Sequence, residues 1–120
     1  EKGIRIALNT GFSKRIADTI VHRFQWMEKG LVDDYIGSNE VAMGRPYTYM
    51  ISELMKRAGV DDAGEVIKNG DTPVDIEEGK NAGCRFVIAM TTGATVQSVL
   101  EEGNPSYIFN QLSEIPAILQ

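Results

Sequence analysis

Apolar residues in this chain alternate between short continuous runs and stripes at helical spacing. "GIRIAL" (3–8) is a short run that ends at the polar turn "NTG", which predicts a buried strand. Phe12, Ile16, Ala17, Ile20, Val21 and Phe24 then recur three and four residues apart, which predicts a helix with Ser13 as N-cap and Gly30 as its end. "LVDDYIGSNEVAMG" (31–44) has neither period and predicts irregular chain with a short extended piece. Tyr47, Met50, Ile51, Leu54, Met55 and Ala58 form a second stripe, opened by Pro46 in a first helical turn and closed by Gly59. That stripe reads as core.

The second half shortens the rhythm. "EVIKNG" (65–70) predicts a strand, and "TPVDIEEGKNAG" (72–83) a short helix entered through Thr72-Pro73. "CRFVIAM" (84–90) predicts a third strand ended by "TTG", and "TVQSVLEEG" (95–103) a helix. "SYIF" (106–109) predicts a last short strand, and "QLSEIPAILQ" (111–120) a last helix broken near Pro116. The order β-α-α-β-α-β-α-β-α favours an α/β fold, a mainly parallel sheet with helices on its faces. Without repeats, low-complexity segments or a linker, residues 1–120 read as one domain.

Composition narrows the function classes. The chain has 120 residues, 42% of them hydrophobic and 24% charged, enough for a packed core. Its net charge of −5 argues against a nucleic-acid partner, which would need a basic face, while leaving room for a small phosphorylated ligand held locally. No apolar stretch approaches the roughly 20 residues of a membrane span. The first residues lack the apolar core of a signal peptide. The single cysteine, Cys84, lies in an apolar run and reads as a small buried residue; a cytoplasmic setting fits.

In an open parallel sheet, ligands gather outside the carboxyl ends of the strands. Three polar corners fall there: "NTG" after the first strand, "NGDTPVD" after the second, "TTG" after the third. "GRP" (44–46) opens a helix that reaches the same edge. Thr10 and the Gly11 N–H present donors to an anionic oxygen at a helix N-terminus, or form an ordinary turn. Arg45 is either a clamp for a phosphoryl group or a surface arginine. Asp71 and Asp75 lie one helical turn apart. They read as hard oxygen ligands for Mg²⁺, or as a helix cap and a solvated acid. His22 reads as a partly exposed helix residue rather than a base, and Trp26 as structural.

Together "LNTGF" (8–12), "GRPYTYM" (44–50) and "GDTPVDIEEGKNAG" (70–83), followed by a strand and "TTG", resemble the haloacid dehalogenase (HAD) superfamily of phosphohydrolases. They are most similar to its phosphonoacetaldehyde-hydrolase-like, or phosphonatase-like, branch. The resemblance runs over essentially the whole chain. It implies a Rossmann-like three-layer core and a Mg²⁺-dependent reaction on a small phosphorylated or phosphonate substrate. Under it, Thr10 is the hydroxyl that holds a phosphoryl oxygen, with Gly11 beside it. Arg45 is the cation that offsets phosphoryl charge. Asp71 and Asp75 are the acids that bind Mg²⁺ directly or through water. Positioning and charge neutralisation would then do most of the catalysis.

The chain departs from that pattern in one major place. These enzymes attack with an aspartate of a "DxDGT"-like motif at the end of a first strand, and no such motif occurs here. Asp33-Asp34 and Asp61-Asp62 have neither its spacing nor a preceding buried strand. The helical cap between the first and second motifs is also absent, with the Schiff-base lysine that phosphonatases carry on it. Thr48 stands where the branch often has proline. The expectation is therefore an incomplete core that lacks the central strand between those before Thr10 and Asp71. Three outcomes follow: the segment exists elsewhere, the flanking strands close up, or the chain pairs with a second copy as a homo-oligomer. The chain alone is expected to be inactive. A non-catalytic α/β binding module is the alternative, as is a relative of phosphoglycolate phosphatase or phosphoglucomutase.

Overall fold

The computed structural model describes residues 3–119. Their contacts gather into two compact units, one ending at Asp61 and the other beginning at Asp62.

In the first unit, β1 (Ala7–Thr10) and β2 (Asp34–Gly37) pair in parallel, with Ala7 opposite Asp34 and Thr10 opposite Gly37. α1 (Lys14–Phe24) and α2 (Tyr49–Ala58) both pack against β2. Ser13 caps α1 as its residue type favours, its Oγ accepting from the Ile16 N–H at 3.4 Å. The Lys14 N–H, another donor that the helix start leaves open, reaches Asn39 Oδ1 at 2.7 Å. Gly37 faces that turn so closely that a Cβ there would overlap the Lys14 backbone. From the two stripes Ala17, Val21, Met50 and Ile51 are buried, joined by Val32 and Ile36, whereas Phe12, Ile16, Phe24 and Tyr47 are exposed, so only part of each stripe is core.

Three boundaries differ from the pattern reading. The first strand begins at Ala7, and Ile4 and Ile6 are 46% and 50% exposed; a two-stranded sheet is too narrow to bury its leading residues. β2 is the short extended piece expected within residues 31–44, its four residues carrying too little periodicity to fix its bounds. α2 begins at Tyr49 rather than Pro46, since a turn closed by the Tyr47 N–H on the Gly44 carbonyl at 3.0 Å holds the preceding residues outside it. Gly59 ends α2 in the left-handed conformation (φ 74°), whereas α1 ends at Gln25 (φ 55°), before Gly30.

In the second unit, β3 (Ile67–Gly70), β4 (Phe86–Met90) and β5 (Tyr107–Phe109) form a parallel sheet in that order. α3 (Pro73–Ala82) packs on β3 and β4, and α4 (Gln97–Glu102) on α3 and β5. Ile76, Val87, Ala89 and Leu100 make the core cluster, with Cys84 and Ile108 packed against it. Burying a side chain such as Ile76 or Leu100 contributes about 1.5–3 kcal/mol. The final segment, Leu112–Ile118, is a 3-10 helix rather than an α-helix. Its Pro116 supplies no N–H for an α-helical ladder. The α/β class with parallel sheets holds. Among the described residues no helix is long and apolar enough to cross a membrane.

Candidate active site

Thr10 ends β1, so its side chain stands where the strand gives way to the α1 turn. Its Oγ1 accepts from the Phe12 N–H at 3.1 Å, which fixes the oxygen and leaves the hydroxyl proton available for a ligand. Gly11 follows, its carbonyl accepting from the Ser38 hydroxyl at 2.8 Å. Arg45, half-buried, folds onto this corner: a Cβ built on Gly11 would lie 2.8 Å from Nη2. The first unit therefore seats Arg45 against Gly11, the residue that follows Thr10 in the chain. One hydroxyl, one guanidinium and a helix start suit an anion with several oxygens.

In the second unit, β3 delivers Asp71 and Thr72 to the start of α3. Thr72 and Asp75 form a capping box. Asp75 Oδ2 accepts from the Asp71 N–H at 3.1 Å, the Thr72 N–H at 3.2 Å and the Thr72 hydroxyl at 2.8 Å. In return the Asp75 N–H donates to Thr72 Oγ1 at 3.3 Å. Gly70 is required here, because a Cβ would overlap the Asp75 side chain. The half-buried Asp71 carboxylate turns the other way, against Gly93 of the "TTG" corner, where a Cβ would overlap it. The second and third polar corners thus meet at Asp71. Asp75 lies behind the turn, 6% exposed, with its carboxylate engaged by the turn's own donors.

Among the described residues no three His, Cys, Asp or Glu side chains cluster as a complete metal cage. Mg²⁺ asks less than that, since it keeps several waters and takes one or two protein carboxylates. The Asp71 carboxylate fits such a role by chemistry and exposure. Two positions upstream, on β3, the buried Asn69 Oδ1 has no hydrogen-bond partner among the described residues.

Two residues here escape the pattern reading. Lys68, on β3, is 7% exposed and pairs with Asp75 Oδ1 at 3.6 Å and Glu78 Oε1 at 3.1 Å. Glu78 is fully buried. Asp75, Ile76, Glu78 and Gly79 form the inward face of α3. The signal was the placement of acids at core positions of a short helix that follows a strand lysine. His22 is solvent-facing, its ring 3.9 Å from Glu28, as expected of a helix surface residue. Cys84 is half-buried, and burial pushes its thiol up from the usual value.

The model for haloacid dehalogenase-like hydrolases matches residues 1–89, and the chain belongs to that family. Within it, the chain is similar to phosphonoacetaldehyde hydrolases. That of Bacteroides fragilis is 27% identical over 143 aligned positions, which cover 99% of this chain and 53% of the relative. That of Parabacteroides distasonis is 36% identical over 103, covering 85% and 38%. The chain thus spans about half the length, or less, of these curated relatives. A predicted phosphoglycolate phosphatase from Haemophilus somnus shares the fold with a TM-score of 0.86 at 22% identity, over 99% of this chain and 51% of that one.

Proposed function

We propose that this chain is the phosphoryl- and metal-binding part of a Mg²⁺-dependent hydrolase for a small organophosphate or phosphonate. The observation that carries the reading is the packing of Arg45 onto the Thr10–Gly11 corner. A guanidinium, a hydroxyl and a helix start at one strand end give a dianionic phosphoryl group several donors and a compensating charge. Asp71, in the second unit, is the ligand for the cation, which supplies charge neutralisation when bound. Asp75 supports it from behind, as the acid that holds the turn.

In a full-length enzyme of this kind, an aspartate attacks phosphorus and the P–O or P–C bond to the leaving group breaks. Water then hydrolyses the aspartyl-phosphate. The 120 residues contain no "DxDGT"-like motif to supply that aspartate, so the chain alone has no turnover. Likeness to phosphonoacetaldehyde hydrolases supports a phosphonate substrate, and the fold shared with a phosphoglycolate phosphatase supports a phosphoester.

The test is an assay with small phosphoesters and phosphonoacetaldehyde, with and without Mg²⁺. It uses the chain alone and the chain co-expressed with a segment carrying the nucleophile motif. Turnover is expected only with the segment and Mg²⁺, and is lost in Asp71→Ala. Turnover by the chain alone would overturn the assignment of its inactivity. No turnover in a folded co-expressed pair would overturn the hydrolase reading. The absent nucleophile motif favours one second reading, a non-catalytic binding module. A monomer that melts cooperatively and at the same temperature with or without Mg²⁺ would support that.

A further inference from the structure

A lysine buried in a strand beside two buried acids needs a reason, because each charge loses its hydration. Lys68 has a built site. Its stem crosses Gly79, where a Cβ would come 2.9 Å from both Lys68 Cβ and Cγ. Its ammonium lies 3.1 Å from Glu78 Oε1 and 3.6 Å from Asp75 Oδ1. Glu78 is fully buried and Asp75 nearly so. Asp75 in turn accepts the two backbone N–H groups of the turn that carries Asp71. The contacts form a continuous chain: Glu78, Lys68, Asp75, then the amides of Asp71 and Thr72.

We infer that Lys68 is a positioning residue for the Asp71 turn, acting through Asp75. The ammonium holds one carboxylate oxygen of Asp75 so that the other stays aimed at the turn amides. The turn then presents the Asp71 carboxylate away from Asp75. Glu78 fixes the ammonium and balances its charge. Asp75 therefore contributes order, while Asp71 faces the ligand. This rests on the reading of Asp71 as the metal-holding residue for its purpose, but not for its geometry.

The test removes the ammonium without stranding Glu78. In the full chain, Lys68→Met/Glu78→Leu replaces the pair by apolar side chains, a change that buried ion pairs often tolerate. The first readout is hydrogen exchange at the Asp71 and Thr72 amides. These are expected to exchange at least about tenfold faster, with β4 and α4 protected as before. The second is Mn²⁺ affinity, expected to weaken by about 10–100-fold, the usual effect of losing a group behind a ligand. Unchanged exchange at both amides in the folded variant would overturn the inference. If exchange rises and Asp71→Asn leaves Mn²⁺ affinity of the unaltered chain untouched, the inference stands and the metal reading falls. Should the variant fail to fold, NMR of the unaltered chain decides. A slowly exchanging Lys68 ammonium with contacts to Asp75 supports the inference, and a freely solvated one overturns it.

Discussion

The guanidinium of Arg45 occupies the space that a side chain at Gly11 would need, with Nη2 2.8 Å from the Cβ position. Gly11 is not among the glycines with a left-handed backbone, so alanine is free of backbone strain there. The displaced group is the far end of a flexible side chain. Gly11→Ala should therefore change stability by less than about 0.5 kcal/mol. It should weaken inorganic phosphate binding by about tenfold, roughly the value of one misplaced charge-assisted hydrogen bond. Isothermal titration of both proteins checks this, and equal affinities would show that Arg45 does not need this seat.

Leu100 is fully buried among Ile76, Val87 and Ala89, and it docks the short α4 onto its unit. Leu100→Ala should lower stability by about 2–5 kcal/mol, the sum of lost burial and the cavity left behind. Urea unfolding should give a lower midpoint with an unchanged slope. A loss below about 1 kcal/mol would mean that α4 contributes little to the folded state.

How far the sequence disclosed this arrangement depended on length and on sign. The stripe of Met50 and Ile51 and the closing Gly59 were legible because ten residues give a helix several turns of periodicity. β2 was legible only as a short extended piece without bounds, since its four residues take their pairing from β1. Thr10 and Asp71 were legible as polar residues at or just after strand ends and Arg45 as a residue before a helix, while their roles came only from the family resemblance; the capping box of Thr72 and Asp75 was partly legible. Lys68 and Glu78 were not, because a charged residue reads as solvated unless its partner is known, and the partner lies ten residues away across a turn. Sequence patterns report burial through apolar residues, so a charge-balanced core is silent.

Gly79 sets two familiar effects against each other. In the interior of α3, alanine is favoured over glycine by about 1 kcal/mol. Yet a Cβ there would meet Lys68 Cβ and Cγ and Val87 Cγ2, all at 2.9 Å. Those atoms sit close to the backbones of β3 and β4 and cannot swing aside, so overpacking of about 1–3 kcal/mol opposes the gain. We expect Gly79→Ala to destabilise on balance, and Gly79→Val to do so more. A more stable alanine variant in urea would mean that Lys68 can shift its stem without loss.

The Tyr35 hydroxyl donates to Asp18 Oδ1 at 2.6 Å, tying β2 to α1. That bond, then burial, pushes the phenol up to about 12. The same bond, with Lys14 Nζ at 2.9 Å from Oδ2, holds the Asp18 carboxyl below its usual range. The two shifts act at opposite ends of the pH scale. A phenol raised in the folded state contributes stability that is complete below its ordinary value of about 10 and is lost as pH rises through about 12. A depressed carboxyl contributes stability that is complete above its ordinary value and is lost as pH falls through the depressed one. The stability difference between the unaltered chain and Tyr35→Phe should therefore stay flat from about pH 6 to 9 and shrink from about pH 10 upward. Asp18→Asn should bring the Tyr35 titration back toward about 10, since the negative charge that disfavours the phenolate is replaced by a neutral amide. A Tyr35 midpoint that stays near 12 in Asp18→Asn would assign the shift to burial instead, and the link between β2 and α1 would then carry no pH dependence of its own.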